Sequence, residues 1–93
     1  MNIMPHATRT SLRRLLLSKG VEVPPVQDLV MGYRCRLRAY APTFVLRWRD
    51  SRGKHHMVIY YFCDGQPYLD VDSKTVPITT EEVQLHGLYK EKE

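Results

Sequence analysis

The sequence has few cysteines and no long apolar run, and both absences narrow the class of protein. Cys35 and Cys63 are its only cysteines, too few for the disulfide scaffold of a small secreted domain. The longest apolar stretch, residues 57–63, is far shorter than the roughly 20 residues of a membrane-spanning helix. The chain also shows no secretory leader. We therefore expect a cytoplasmic protein without a membrane partner.

Motifs for metal binding and catalysis are also absent. The chain contains no C-x-x-C or H-x-x-x-H spacing, which are common arrangements of metal ligands. His55 and His56 are neighbours on a predicted strand, so their side chains would point to opposite faces. We predict no metal, no cofactor and no catalytic residue, and we expect His56 to be a partly buried, hydrogen-bonded ring.

Acidic residues are scarce in the first half of the chain. Residues 1–54 hold 11 of the 14 lysines and arginines but only three of the ten acids, so this half carries a net charge of +8. Residues 55–93 carry −4. A basic half favours anionic partners such as nucleic acid or an acidic protein surface.

The order of hydrophobic patterns predicts one α+β domain over residues 1–93. A flexible tail is expected at residues 1–7, a helix at 8–20, an antiparallel sheet at 33–72 and a short helix at 79–87. The predicted fold is a four-stranded antiparallel meander, with the N-terminal helix and the short C-terminal helix packed on one face. The terminal helix has a capping box at Thr79 and Glu82.

Turn residues between the alternating strands predict the register of three hairpins. A tight turn at Ala41-Pro42 places Ala39 opposite Phe44. A three-residue loop ending at Gly53 places Trp48 opposite His56, and the Asp64-Gly65 turn places Tyr60 opposite Leu69. One sheet face then collects the apolar residues and forms the core. The other face collects the arginines, together with an apolar and tyrosine strip.

The arginine-rich face leads to the main functional prediction, a small nucleic-acid-binding module that is not an enzyme. Guanidinium groups neutralise phosphates, and aromatic rings stack on bases. DNA is slightly favoured over RNA, because a β-ribbon can enter a major groove. The predicted binding residues are Arg34, Arg36, Arg38, Arg47, Arg49, Arg52, Lys54 and Tyr61.

The same face supports an alternative, a protein-binding adaptor or inhibitor that docks on an acidic protein surface or on a second copy of the chain. Tyrosine, methionine and arginine are enriched at protein interfaces, and an exposed apolar strip marks a contact. The residues of this predicted interface strip are Val45, Met57, Ile59, Tyr61 and Tyr68.

A second alternative is a toxin-like ribonuclease. Arg47, His55 and Tyr61 share the polar face and could bind a phosphate and exchange protons with it. The segments Tyr33-Arg-Cys-Arg-Leu and Phe44-Val-Leu-Arg-Trp resemble the strand pattern of small bacterial ribonuclease toxins. The first strand and the long helical pair of that family are not part of the predicted fold.

Overall fold

Two antiparallel sheets and two α-helices make up the fold. The computed structural model of the chain describes residues 2–35 and 42–92. Strands β2 to β6 form a five-stranded sheet in sequence order, and β1 pairs with β7 in a two-stranded sheet. In chain order the elements are β1 (Asn2–Pro5), α1 (Arg9–Ser18), a 3₁₀ turn (Val26–Asp28), β2 (Val30–Cys35), β3 (Pro42–Arg49), β4 (His55–Cys63), β5 (Gln66–Val71), β6 (Lys74–Val76), α2 (Thr80–Leu85) and β7 (Tyr89–Lys92). Within the described ranges, neither helix is long and apolar enough to cross a membrane.

The main sheet has one strand more than the predicted four. Asp72 and Ser73 both have positive φ angles, 50° and 71°, and the chain turns there so that Val71 pairs with Lys74. Two successive left-handed residues are typical of a type I′ hairpin turn. This turn starts β6, whereas the sequence interpretation ended the sheet at Asp72. Asp-Ser lacks the glycine by which such a turn is normally recognised.

Two of the three predicted hairpin registers are confirmed, and the first is wrong. Trp48 pairs with His56, and Tyr60 pairs with Leu69. Phe44, however, pairs with Tyr33 instead of Ala39. Pro42 is the first residue of β3 and not part of a tight turn. The predicted strand segment from Arg36 to Ala39 lies outside the described residues.

Helix α1 (Arg9–Ser18) lies within the predicted range 8–20. The Thr8 hydroxyl accepts a hydrogen bond from the Ser11 backbone N–H at 3.0 Å, and the Thr8 backbone N–H donates to the Ser11 hydroxyl at 2.9 Å. This reciprocal pair satisfies two backbone donors of the first turn. Gly20 follows the helix with a φ of +78°, a conformation that glycine adopts at low energetic cost.

Helix α2 has the capping box predicted from Thr79 and Glu82, with both reciprocal hydrogen bonds present. At its other end the Leu88 N–H donates to the Val83 carbonyl at 2.9 Å. Gly87 has a φ of +68°, so the helix closes in a Schellman motif. Val83 and Leu88 are both buried, and they attach this short helix to the core.

The prediction of a tail over residues 1–7 is wrong for residues 2–5, which form β1. Ile3 pairs with Glu91 and Pro5 with Tyr89, and the His6 N–H donates to the Leu88 carbonyl at 3.1 Å. The partner strand lies more than 80 residues away in sequence. Local periodicity carries no signal for such a pairing.

One hydrophobic cluster joins α1, α2 and the predicted apolar face of the main sheet. Tyr60 is fully buried at its centre, and its hydroxyl donates to the Leu88 carbonyl. Burial raises the pKa of the Tyr60 phenol, because an ionised phenolate is poorly solvated there. The buried members are Ala7, Leu12, Leu15, Leu16, Leu29, Phe44, Leu46, Trp48, Val58, Tyr60, Phe62, Leu69, Val83 and Leu88.

Candidate functional site

The candidate site lies where β3 passes into β4 at one end of the main sheet. Strand alternation leaves Arg47 and Arg49 exposed, while Trp48 between them is buried on the core side. Arg49 pairs with His55 across the hairpin, and His55 is also exposed. Directly opposite residues share a face, so these three side chains lie together. With Arg52 and Lys54 of the turn they form what we call the basic hairpin end.

The turn itself is held by Asp50. Its Oδ1 atom accepts hydrogen bonds from the backbone N–H groups of Arg52 at 2.9 Å and of Lys54 at 3.0 Å. The Gly53 N–H donates to the Asp50 carbonyl at 2.9 Å. Gly53 has a φ of +78°, as predicted for a left-handed residue closing a three-residue loop. The backbone of both turn cations is therefore well defined.

His56 connects this turn to the next one along the sheet. Its Nδ1 atom is 2.7 Å from Asp72 Oδ2, and its Nε2 atom is 2.8 Å from Asp50 Oδ2. The imidazole stacks on the Trp48 ring with centroids 5.3 Å apart. Asp72 Oδ1 also accepts the Met57 N–H at 2.9 Å. We call His56, Asp50 and Asp72 the histidine clamp.

The clamp favours the charged form of all three side chains. Hydrogen bonds to Asp72 and then to Asp50 raise the pKa of His56 above its usual 6.5. The hydrogen bond from His56 is the main cause that lowers the pKa of Asp50 below 3.8. Burial alone would raise the pKa of Asp72, but the hydrogen bonds from His56 and from the Met57 N–H outweigh it, so that this pKa is also lowered. Both ring nitrogens can donate at once only in a protonated imidazole.

Charge at the basic hairpin end is only partly compensated, because the Asp50 carboxylate lies within the turn and Asp72 interacts electrostatically with Lys54. In the described part of the chain the ion pairs are Lys19 with Glu82 and the two that His56 forms. None of the four lysine and arginine side chains of the basic hairpin end pairs with a described carboxylate. Arg47, Arg49 and His55 also line an open depression, together with Asp28 and Val30. Exposed cations around a depression suit an anionic ligand.

The predicted neighbours of the arginines on β2 and β3 are wrong for the described residues. The predicted register placed Arg34 opposite Arg49, but Arg34 pairs with Thr43 and Arg47 pairs with Val30. Arg36 and Arg38 lie outside the described residues. Arg47 and Arg49 therefore sit beside Arg52, Lys54 and His55 of their own hairpin, rather than beside an arginine row on β2.

The predicted interface strip is only partly exposed. Val45 retains 6% of its accessible surface, while Met57 retains 41% and Tyr68 retains 37%. Tyr61 and Tyr68 pair across β4 and β5, and their rings stack with centroids 5.3 Å apart and an interplanar angle of 16°. Because Val45 is buried, it is not available for contact with a partner. What remains accessible is a patch on β4 and β5.

The residues suggested for ribonuclease chemistry are spread along the sheet. His55 and Tyr61 are six positions apart on β4, which corresponds to roughly 20 Å between their Cα atoms. An acid and a base that act on one phosphate must both reach it within hydrogen-bond distance. This pair is too widely separated to do so. Over residues 2–35 and 42–92, no group of three or more histidine, cysteine, aspartate or glutamate side chains could hold a metal ion.

Sequence reasoning expected a hydrogen-bonded His56 but missed its two partners. Asp72 ends the predicted sheet range of 33–72, although it belongs to the β5–β6 turn. Asp50 was treated only as a turn residue. An aspartate directly before a Gly-containing loop is a known backbone-binding position, so the role of Asp50 within the turn was accessible from the sequence. Its contact with His56 was not.

Comparisons with known proteins show no relationship. No protein-family model, no curated protein and no solved structure matches this chain.

Proposed function

We propose that the chain binds nucleic acid through the basic hairpin end. The observation that carries this proposal is the group of exposed arginine and lysine side chains without an ion-pair partner in the described part of the chain. Unpaired surface cations provide most of the sequence-independent affinity for a phosphate backbone, because binding releases condensed counterions.

The spacing of the two strand arginines supports the same proposal. Arg47 and Arg49 project from one side of β3, roughly 7 Å apart at a rise of ~3.4 Å per residue. Successive phosphates of one DNA strand are separated by ~3.4 Å along the helix axis. The two guanidinium groups therefore span about two such axial steps, and each can contact a different phosphate of the same DNA strand. Arginine also forms bidentate hydrogen bonds with phosphate oxygens.

The test is the salt dependence of binding, measured by fluorescence anisotropy with labelled oligonucleotides over a range of KCl concentrations. The logarithm of the association constant should fall linearly with the logarithm of salt concentration, by about 0.9 for each neutralised phosphate. The Arg47→Ala/Arg49→Ala variant should bind more weakly. Its slope should be shallower by the amount expected for about two lost phosphate contacts.

Arg14→Ala is the matched control, because Arg14 is an exposed arginine on α1. It removes one positive charge, against two in the double variant, at a different place on the surface, so it should leave the slope close to that of the wild type. Absence of salt-dependent binding to every duplex and single strand would contradict the proposal. If the control and the double variant lose the same binding free energy for each charge removed, a binding site at the hairpin is also contradicted.

A second candidate function, docking of a protein or of a second copy of the chain, is favoured by the exposed side chains of Met57 and Tyr68. It predicts a dimer or a stable complex whose mass, measured by light scattering, falls on Tyr68→Ala. Tyr33→Ala is the control, since Tyr33 is an exposed tyrosine on the edge strand β2. If the protein remains a monomer at all concentrations and forms no stable complex with another protein, this second function is contradicted.

A further inference from the structure

The end of the β3–β4 hairpin extends beyond its neighbouring strands. The pairing of β2 with β3 reaches only Val30 and Arg47, and that of β4 with β5 reaches only Val58 and Val71. Arg49 and His55 are therefore paired with each other, and no third strand pairs with them in the described chain. Asp28 lines the depression beside them on one side, and the turn at Asp72 lies against His56 on the other. Residues 49–55, which we call the hairpin tip, form a ribbon two strands wide.

The dimensions of this ribbon match one particular cavity in nucleic acids. Neighbouring strands lie about 4.8 Å apart, and a sheet with its side chains is about 10 Å thick. The B-form major groove is about 12 Å wide and about 8.5 Å deep, and it admits a two-stranded ribbon. Asp50 follows Arg47 by three residues, so the tip reaches roughly 10 Å past the paired end of β2.

The histidine clamp holds the tip in one conformation. Asp50 fixes the backbone of Arg52 and Lys54, and His56 connects Asp50 to Asp72 on the neighbouring turn. A loop that is already ordered loses less conformational entropy when it binds. Within the tip, Arg49, Arg52 and Lys54 outnumber Asp50, which leaves a net positive charge.

The aromatic residues argue against a single strand as the ligand of the tip. Single-stranded nucleic acid is bound by exposed aromatic rings on which its bases stack. Trp48 is the only tryptophan, tyrosine or phenylalanine between residues 48 and 56, and it is buried and stacked on His56. The tyrosine pair, Tyr61 and Tyr68, lies roughly 20 Å away along β4.

The shape of the tip also distinguishes between the two kinds of duplex. A-form RNA has a deep, narrow major groove that side chains cannot enter, whereas the B-form groove is open. From these observations we propose that the hairpin tip enters the major groove of double-stranded DNA. Arg52, exposed at the turn, then reaches the base edges, and Arg47 and Arg49 contact phosphates. This inference rests on the proposed nucleic-acid binding and names its substrate class.

The experiment compares three labelled probes of one sequence: a 20-base-pair DNA duplex, the corresponding RNA duplex and the single DNA strand. Anisotropy titrations at one low salt concentration should give a dissociation constant at least about tenfold lower for the DNA duplex than for the other two. Bound protein should also protect guanine N7 in the major groove from methylation by dimethyl sulfate. Equal or tighter binding of the RNA duplex or of the single strand, or an unprotected guanine N7, would overturn the inference.

The arginine at the turn gives a sharper version of this test. Arg52→Ala keeps the backbone N–H that donates to Asp50, so the turn should stay intact. The variant should weaken duplex binding by about tenfold, which is in the lower range for the loss of a bidentate base contact. It should also remove protection at the contacted guanine. Arg14→Ala should do neither, and equal effects of the two variants would contradict the assignment. Salt-dependent binding without preference for the DNA duplex would reject the major-groove inference and leave the proposed function standing, whereas no binding to any probe would reject both.

Discussion

His56 Nδ1 lies 2.7 Å from Asp72 Oδ2, and this contact joins two turns that are separate in sequence. Its second nitrogen binds Asp50 in the β3–β4 turn, while Asp72 belongs to the β5–β6 turn. Backbone hydrogen bonds support both turns as well, since the Asp72 N–H donates to the Met57 carbonyl at 2.9 Å and the Asp50 N–H donates to the Lys54 carbonyl at 3.0 Å. His56 therefore couples the β3–β4 turn to the β5–β6 turn.

The clamp predicts that stability depends on pH. The folded-state pKa of His56 is raised above 6.5, so its stabilising contribution is complete below pH 6.5 and is lost as the pH rises through the raised value. The pKa values of Asp50 and Asp72 are lowered below 3.8, so their contribution is complete above that pH and is lost as the pH falls through the lowered values. The clamp should thus stabilise the fold most at about pH 5 to 6.

Thermal denaturation of His56→Gln measures this contribution. The variant should unfold at a temperature about 5 °C below wild type at pH 5.5, the scale expected for about 1 kcal/mol in a domain of this size. The difference should shrink toward alkaline pH. His55→Gln is the neighbouring control and should follow the wild-type profile, since His55 is exposed and lies outside the clamp. A constant difference from pH 5 to pH 10 would contradict the role of protonation.

Thr43 predicts a stabilising substitution. Its hydroxyl oxygen is buried and has no hydrogen-bond partner among the described residues. An unsatisfied buried polar group is unfavourable by about 1–3 kcal/mol, so Thr43→Val should raise the free energy of unfolding by about 1 kcal/mol in urea titrations. Thr75→Val is the control, because the Thr75 hydroxyl donates to Asp70 Oδ1 at 3.1 Å. The prediction fails if Thr43→Val lowers stability as much as the control does.

The strand at the N-terminus predicts a loss of stability on truncation. Ile3 packs against the core cluster, and His6 donates to the Leu88 carbonyl and contacts the Phe44 ring edge to face. A chain that begins at Ala7 should lose about 2 kcal/mol or more in the free energy of unfolding, the scale of one buried isoleucine. Ile3→Ala should cause a smaller loss in the same direction. An unchanged urea midpoint for the truncated chain would mean that these residues behave as the tail that the sequence suggested.

Sequence reasoning succeeded where local chemistry decides the structure. Asp64-Gly65 and Gly53 adopt positive φ angles in tight turns, which fixes the registers of the second and third hairpins. The capping box of Thr79 and Glu82 marks the start of α2. Each of these signals acts within a few residues, and so each can be recognised without knowing the rest of the fold.

The failures concern contacts between distant segments. Pairing of β1 with β7 leaves no local pattern, and the first hairpin was given a tight turn at a proline that instead begins a strand. The error in register is six residues, an even number, so it does not change which face of the sheet each β2 residue belongs to. The same error placed Arg34 beside Arg49, and the true neighbours of the strand arginines are found only in the structure.

Chemical-shift mapping by NMR tests the central claim most directly, because it locates the binding surface without any substitution. Isotope-labelled protein would be titrated with a 20-base-pair DNA duplex at low salt and followed through its backbone amides. We predict that the largest shifts fall on residues 47–55 and reverse when salt is added. Shifts centred on Met57 and Tyr68, or no shifts at all, would contradict a nucleic-acid interface at the basic hairpin end.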